Sequence, residues 1–222
     1  MVSKDLHTEI ENILKKSLSL GVVGSAKDFY NWVIMDYELN SKKVPLIEEN
    51  LIENILNDFL KQSFVTHGTF DPNEYIISEN SPFYKKISSN DHYYIIGKAN
   101  LSPIQYVRSR QISFLNQNNV SQDDIEEISI ATTEAVENSV KYGDGEKVEI
   151  SNFIENGKNF KLTMVNKIKE FDLQTEIDRG KYSSSITLMR GVLVMEKLFD
   201  KFDLILLDNN TQAMVQAEKK LK

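Results

Sequence analysis

The sequence predicts an α+β fold, with a mainly antiparallel sheet covered by helices on one face and an α-helical region before it. Two patterns support this. Apolar residues recur at helical spacing through the first ninety residues, whereas segments rich in β-formers and turn residues alternate with helices after that point. The change of pattern predicts two domains, an α-helical N-terminal region at 1–85 and a second domain at 86–222.

Three amphipathic helices are predicted in the N-terminal region. The second begins at Ser25, where Asp28 at the third position completes a capping box. Residues 63–82 contain Gly68 and Pro72 and are expected to form a connection rather than core. The apolar residues expected to face inward are Leu6, Ile10, Ile13, Leu14 and Leu18, then Phe29, Trp32, Val33 and Tyr37, then Leu51, Ile52, Ile55, Phe59 and Leu60.

The second part alternates strands and helices. A capping box at Ser121 and Asp124 begins its longest helix, which is predicted to end at Gly143. The order strand, helix, helix, hairpin, loop, helix, hairpin predicts the layered α+β architecture. The predicted elements are a strand at 93–96, helices at 102–116 and 121–142, strands at 147–154 and 160–166 joined by a turn at 155–158, a helix at 187–198, and strands at 202–207 and 211–217.

Composition excludes several kinds of function. The chain has 222 residues, a net charge of −7 and no block of five or six basic residues, which argues against direct binding of nucleic acid. It has no cysteine, and its histidines (His7, His67 and His92) are scattered, so no thiolate or histidine metal site is expected. Charges interrupt every apolar run near the N-terminus, so we expect neither a secretory signal nor a membrane span. We therefore expect the chain to be cytoplasmic.

One row of polar side chains on the helix at 121–142 has a chemical rationale. Glu134, Asn138, Lys141 and Tyr142 lie within about a quarter turn of one another, beside the apolar face of that helix. An Asn oxygen is a ligand suited to Mg²⁺, and a Lys supplies a charge for a phosphate. A Glu can accept a proton from a hydroxyl or water, and a tyrosine ring can stack on a sugar or base.

A purely structural explanation of the same residues stands beside this one. Glu137 and Lys141 have the spacing and order of a stabilising ion pair on a helix surface. Lys141 would then be part of a solvated face, and the neighbouring Glu and Asn would be ordinary surface residues.

The sequence of this helix resembles a motif of a known protein family. The segment EAVENSVKYG at 134–143 is similar to the N-box of the GHKL (Bergerat-fold) ATPases, in which Glu, Asn, Lys or His, and an aromatic residue follow at these spacings. The resemblance implies that Asn138 holds Mg²⁺, that Lys141 approaches the phosphates of ATP, and that Glu134 is the catalytic base. The cofactors it implies are therefore ATP and Mg²⁺.

Within that family the chain looks most like the anti-sigma-factor serine/threonine kinases of bacteria. An acidic lead-in, SQDDIEEI at 121–128, precedes the N-box, and GVLVMEKLFD at 191–200 resembles the last glycine-box residue and its helix. The resemblance implies that Gly191 lets backbone amides approach phosphates at a helix N-terminus. It also implies a protein partner, either a sigma factor or an anti-sigma antagonist, and a homodimer. Arg190 is either a contact to the terminal phosphate or a helix-surface residue.

The chain departs from the family at its first glycine box. The segment VNKIKEF at 165–171 lacks both glycines, and Lys167 stands where an Asp should accept the adenine amino group. Asn166 offers a neutral acceptor one residue earlier, although neighbouring strand residues point to opposite faces. The candidate lid, Gly180 to Ser185, is rich in serine, and Met189 replaces a glycine of the second box.

Three functions follow from these residues. The first is a regulatory protein kinase that binds Mg-ATP, with Glu134 assisting the hydroxyl of a partner. The second is a degenerate, non-catalytic domain that serves only as a protein-interaction module. The third, a fragment of a sensor histidine kinase, ranks last because the N-terminal region lacks a long helical hairpin with a phospho-acceptor histidine.

Overall fold

The computed structural model describes residues 4–69, 71–169, 187–208 and 211–222, and the side chains of 187–189 are outside that description. The helices are α1 (Lys4–Ser19), α2 (Ala26–Leu39), α3 (Glu49–Lys61), α4 (Pro103–Gln117), α5 (Gln122–Tyr142) and α6 (Thr187–Leu198). The strands are β1 (Gly24–Ser25), β2 (Val65–His67), β3 (Glu74–Ile77), β4 (Asn90–Ile96), β5 (Gly143–Glu155), β6 (Asn159–Ile168), β7 (Lys201–Leu207) and β8 (Gln212–Lys220).

A five-stranded antiparallel sheet forms the second part of the described chain, in the order β4-β5-β6-β8-β7. Helix α5 contacts α4 and α6, and it also lies across β5 and β6 of the sheet. The predicted α+β class and the sheet covered by helices are confirmed. The turn between β5 and β6 is confirmed as well, since Asn156 and Gly157 both have positive φ, 53° and 68°, as a type I′ turn requires.

The three N-terminal helices form where the apolar spacing predicts them. Ser25 caps α2 reciprocally with Asp28, as expected. Trp32 is 2% exposed, and its indole N–H donates to the carbonyl oxygen of Ser102 at the start of α4. The apolar core is continuous from α1 to the sheet. A division of the chain into two domains near residue 85 stays a prediction.

The expectation that residues 63–82 form only a connection is wrong. Strand β3 pairs with both β1 and β2 in a small antiparallel sheet, and the side chains of Val65, Tyr75 and Ile77 are buried. Strands of three and four residues are too short to show a period of two, and Gly68 and Pro72 between them are typical of a loop. Both turn residues belong to the connection between the two strands.

Helix α5 is fixed at its first turn by buried charges. Ser121 caps it, and Asp124, which is fully buried, accepts a hydrogen bond from the backbone of Lys222 at 2.8 Å. The Lys219 ammonium lies 3.9 Å from Asp124 and 2.5 Å from Glu127. These bonds join the residues at the end of β8 to the start of α5, and so they fix the position of the helix relative to the sheet. The predicted inward residues Ile125, Ile128, Thr132, Ala135 and Ser139 are all buried.

Candidate functional site

The last two turns of α5 carry the polar row, which consists of Glu134, Asn138, Lys141 and Tyr142. Glu134, Asn138 and Tyr142 are half-buried, whereas Lys141 is exposed. The Lys141 ammonium lies 4.9 Å from the centre of the Tyr142 ring, within the range of a cation–π contact. Helical periodicity therefore places these four side chains along one edge of the helix, as the spacing predicts.

Glu137 and Lys141 are both exposed, as a solvated helix face predicts, although no ion pair between the two is found within the described ranges. The side chains of Glu134 and Asn138 have no hydrogen bond or ion pair to another described residue. Both are half-buried, so this carboxylate and this amide could be used by a ligand.

Gly191 brings the backbone of α6 against this pair. A methyl group at Gly191 would lie 2.7 Å from the Asn138 side-chain nitrogen and 3.2 Å from Glu134 Oε2. The gap between α5 and α6 is therefore too narrow for any side chain at position 191, and the three residues that the sequence proposed from separate motifs meet at one place. Arg190, the preceding residue, is exposed.

The position of Gly191 within its helix differs from the expectation. Helix α6 begins at Thr187, so Gly191 is its fifth residue. The amide groups without an intrahelical partner belong to the first turn, and the Gly191 amide lies beyond them. Glycine here permits close approach between α5 and α6 rather than exposing its own N–H. The candidate lid at 180–185 and the side chain of Met189 lie outside the described residues.

A small cavity of about 50 Å³ extends from Asn138 between α5, α6 and the sheet. Its wall is mainly aliphatic. The lining residues are Ala135, Asn138, Ser139, Tyr142, Asn166, Ile168, Val192, Met195, Leu204, Leu206, Ala213 and Val215. Val192 and Met195 on α6 and Leu204 and Leu206 on β7 were not singled out from the sequence, although their spacing on a helix and a strand could have indicated one shared face.

The inward residue at the end of β6 is Asn166 and not Lys167. Asn166 is 8% exposed and lines the cavity, whereas Lys167 is exposed on the opposite face of the sheet. The Ser139 hydroxyl donates to Asn166 Oδ1 at 3.2 Å, and Asn166 Nδ2 donates to the Lys167 carbonyl at 2.9 Å. Of these two neighbours at the end of β6, only Asn166 lies where its side chain could contact a molecule in the cavity.

On its other side Glu134 borders an open groove between α4 and α5, with a volume of about 560 Å³. Ile130, one turn before Glu134, also lines this groove and is 54% exposed. Glu134 thus lies between the groove and the contact with α6 at Gly191.

Asn138 and Glu134 are residue types that suit Mg²⁺ with a triphosphate. Mg²⁺ prefers hard oxygen ligands, is held in such sites by one or two protein groups, and takes its remaining ligands from phosphates and water. In the structure the Asn138 nitrogen is the atom nearest Gly191, and the space beside it is too narrow for a methyl group. The ion would therefore need the Asn138 amide to turn its oxygen toward it. The apolar cavity is smaller than the roughly 300–1,000 Å³ usual for ligand pockets, so a purine needs side chains to move.

No family model matches the chain, and no curated protein matches its sequence. Among solved structures the chain is similar to the RsbU and RsbW domains of Rv1364c from Mycobacterium tuberculosis, with a TM-score of 0.43 and 13% sequence identity. The match covers 77% of this chain and 42% of that one, so the chain spans less than half of its length. This is a weak resemblance of overall fold. Within the described ranges no helix is both long and apolar enough to cross a membrane.

Proposed function

We propose that the chain is a regulatory nucleotide-binding protein that transfers the terminal phosphoryl group of Mg-ATP to a hydroxyl of a partner protein. One observation carries the proposal. Glu134 and Asn138, which have no described partner, lie side by side against the backbone of α6 at Gly191, where a methyl group would be only 2.7 Å from the Asn138 amide nitrogen. The N-box resemblance of residues 134–143 supports the same chemistry.

Each residue of the site has a role in this proposal. Asn138 holds the divalent ion through its side-chain oxygen, and Lys141 compensates phosphate charge at the rim. Glu134 accepts the proton of the attacking hydroxyl as its oxygen bonds to phosphorus and the bond to the leaving diphosphate breaks. Arg190 lies exposed one residue before the gap, where it can contact the terminal phosphate. Tyr142 and Asn166 contact the sugar and base.

The groove between α4 and α5 offers the partner a route to Glu134. Its exposed Ile130 provides an apolar contact one helical turn from the carboxylate. By resemblance the partner is a sigma factor or an anti-sigma antagonist, and the chain forms a homodimer in the cytoplasm. These identities are part of the proposal.

Thermal unfolding tests binding at this site. A ligand that binds only the folded state stabilises it by about 2.7 kcal/mol at a hundred times its Kd. We expect Mg-ATP to raise the Tm, and ATP with EDTA to raise it less. In the absence of a partner, we expect water to replace its hydroxyl, so that ATP is slowly hydrolysed to ADP. Glu134→Gln should keep the Tm shift but lose this hydrolysis, because the attacking water then lacks a proton acceptor. A Tm that Mg-ATP leaves unchanged at millimolar concentration contradicts the proposal.

A second function, a non-catalytic interaction module, is favoured by one feature of the structure. The cavity behind Asn138 holds only about 50 Å³, and its wall is largely aliphatic. If the domain has kept its fold only to bind a protein, this cavity stays closed. In that case ATP changes neither the Tm nor partner binding, and Asn138→Ala has no effect on either.

A further inference from the structure

The connection between α2 and α3 presents an apolar side chain fully to solvent. Leu46 is 98% exposed, more than any other large hydrophobic residue that the structure describes, and Val44 close to it is also exposed. Single apolar residues on a surface are ordinary, but a leucine with almost no buried area contributes nothing to the core. Residues 43–48 are called the Leu46 loop below.

The residues around Leu46 restrain the loop. Ile47, the next residue, is 6% exposed and anchors the loop in the core. Just before the loop, the Lys42 ammonium pairs with the Glu9 carboxylate of α1 at 2.6 Å. Pro45 has a fixed φ and restricts the residue before it to extended conformations. Because the loop is restrained in this way, it loses less conformational entropy on binding than a flexible segment does.

Opposite charges flank the apolar part of the loop. Lys43 precedes it, whereas Glu48 and Glu49 follow it, and all three side chains are exposed. The order along the chain is therefore basic, apolar, acidic. A surface that binds this loop needs an acidic side, an apolar middle and a basic side.

The groove between α4 and α5 has these three features. Its α5 wall carries the carboxylates of Glu126 and Glu134, and its α4 wall carries the guanidinium of Arg108. Ile130 lies one helical turn from each carboxylate and is 54% exposed, and Ile112 adds a second apolar side chain from α4. The groove volume of about 560 Å³ is sufficient for a few side chains of a docking loop.

The groove also contains a hydroxyl without a partner. Ser129 lines it and is 7% exposed, and its Oγ has no hydrogen-bond partner among the described residues. A buried polar group in this state is costly until a hydrogen bond is made. A backbone group of an extended segment in the groove provides that bond.

We propose that the Leu46 loop of one copy of this chain binds in the groove between α4 and α5 of a second copy. Leu46 then packs against Ile130. Lys43 faces the carboxylates of α5, and Glu48 faces Arg108. This self-association does not require nucleotide, and it excludes another protein partner from the same groove.

Sedimentation equilibrium of the full chain without nucleotide tests the contact. We expect self-association that increases with protein concentration. Leu46→Asp should weaken it about tenfold or more, because a charge replaces the leucine that becomes buried in the groove. Leu193→Asp is the matched control, since Leu193 is 59% exposed on α6 and lies outside the loop and the groove. The control should leave self-association unchanged.

Charge reversal tests which surfaces meet. Lys43→Glu and Glu126→Lys should each weaken self-association about threefold or more, because each places like charges opposite one another. The double variant exchanges the two charges and should recover most of the lost affinity. Both side chains are exposed, so neither substitution removes a core contact.

Three results would overturn the inference. A chain that stays monomeric at about 100 μM lacks the contact. Self-association that Leu46→Asp leaves unchanged does not use the loop. If Leu46→Asp weakens it but Glu126→Lys has no effect alone or with Lys43→Glu, the loop binds a surface other than the groove. None of these measurements involves Mg-ATP, so the proposed nucleotide-binding function is judged separately by its own titration.

Discussion

Two polar regions of the molecule use charged side chains in opposite ways. The first is the arginine cluster, formed by Arg110, Asp91, Tyr93 and Tyr106 between α4 and β4. The Arg110 guanidinium makes two hydrogen bonds to Asp91, at 2.9 and 2.6 Å, and a third to the Tyr106 hydroxyl. It also lies 3.8 Å from the centre of the Tyr93 ring. The second is the polar row on α5, where Glu134 and Asn138 have no partner among the described residues.

The difference indicates which region serves stability and which serves ligand binding. A charge that is buried for the fold needs a partner, because an unpaired buried charge is costly. A carboxylate and an amide that have no partner among the described residues contribute no hydrogen bond or ion pair to stability where α5 meets α6. We therefore expect substitutions in the arginine cluster to change stability, and substitutions in the polar row to change ligand binding.

The largest expected effect is at Asp91. Asp91→Ala leaves the Arg110 guanidinium buried without its carboxylate, and the free energy of unfolding should fall by about 3–5 kcal/mol. Chemical denaturation measures this loss. Replacing both residues with apolar ones, as in Asp91→Leu with Arg110→Met, should restore much of the stability. A loss below about 1 kcal/mol for the single variant would mean that the cluster is not closed to water.

A smaller change in stability but a large change in binding is expected for Gly191→Ala. Alanine in a helix interior is favoured over glycine by about 1 kcal/mol, but its methyl group displaces the Asn138 amide. Stability should therefore change by less than about 1 kcal/mol, whereas the affinity for Mg-ATP should fall about tenfold or more.

Asn138→Ala supplies the matched background for this experiment. With the Asn138 side chain removed, Gly191→Ala should stabilise the chain by up to about 1 kcal/mol, because the nearest remaining atom is Glu134 Oε2 at 3.2 Å, at the end of a flexible side chain. If the substitution has the same effect on stability in both backgrounds, Gly191 does not pack against Asn138.

The smallest expected effect is a pH dependence in the arginine cluster. Burial raises the pKa of the Tyr93 phenol, and the nearby Arg110 guanidinium acts in the opposite direction. In the unfolded chain the phenol ionises near its ordinary pKa of about 10, so above that pH the unfolded state loses the proton first and stability falls. Tyr93→Phe should show a shallower decline in alkaline denaturation experiments, with little change near neutral pH. An identical decline in both proteins would contradict the assignment.

The sequence predicted the fold best where local signals agree with packing. Ser121 and Asp124 mark the start of α5, Gly143 follows its end, and Asn156 with Gly157 makes the hairpin turn. Strands β2 and β3 were missed because three or four residues cannot show a period. Their burial depends on contacts with helices, of β2 with the preceding α3 and of β3 with α1 from a distant position in the chain.

For the candidate site, the sequence identified residues but not all of their positions. Helical periodicity placed Glu134 and Asn138 correctly on one edge of α5. It could not show that α6 starts a full turn before Gly191, because that depends on packing against α5. The role of Asn166 depends on which face of β6 it occupies, and the register of the sheet with β8 fixes that. Lys167 occupies the position of the family's Asp in the sequence, but its side chain lies on the face of the sheet away from the cavity.

The central claim is that Asn138 holds the metal ion of a bound nucleotide, and calorimetric titration with Mg-ATP tests it most directly. Glu137→Ala, exposed one residue earlier on α5, is the matched control for Asn138→Ala. We expect saturable heat for the wild-type chain and Glu137→Ala, and its loss in Asn138→Ala with the protein still folded. No heat at millimolar ATP from folded wild-type protein, or equal affinity in Asn138→Ala, would contradict the claim.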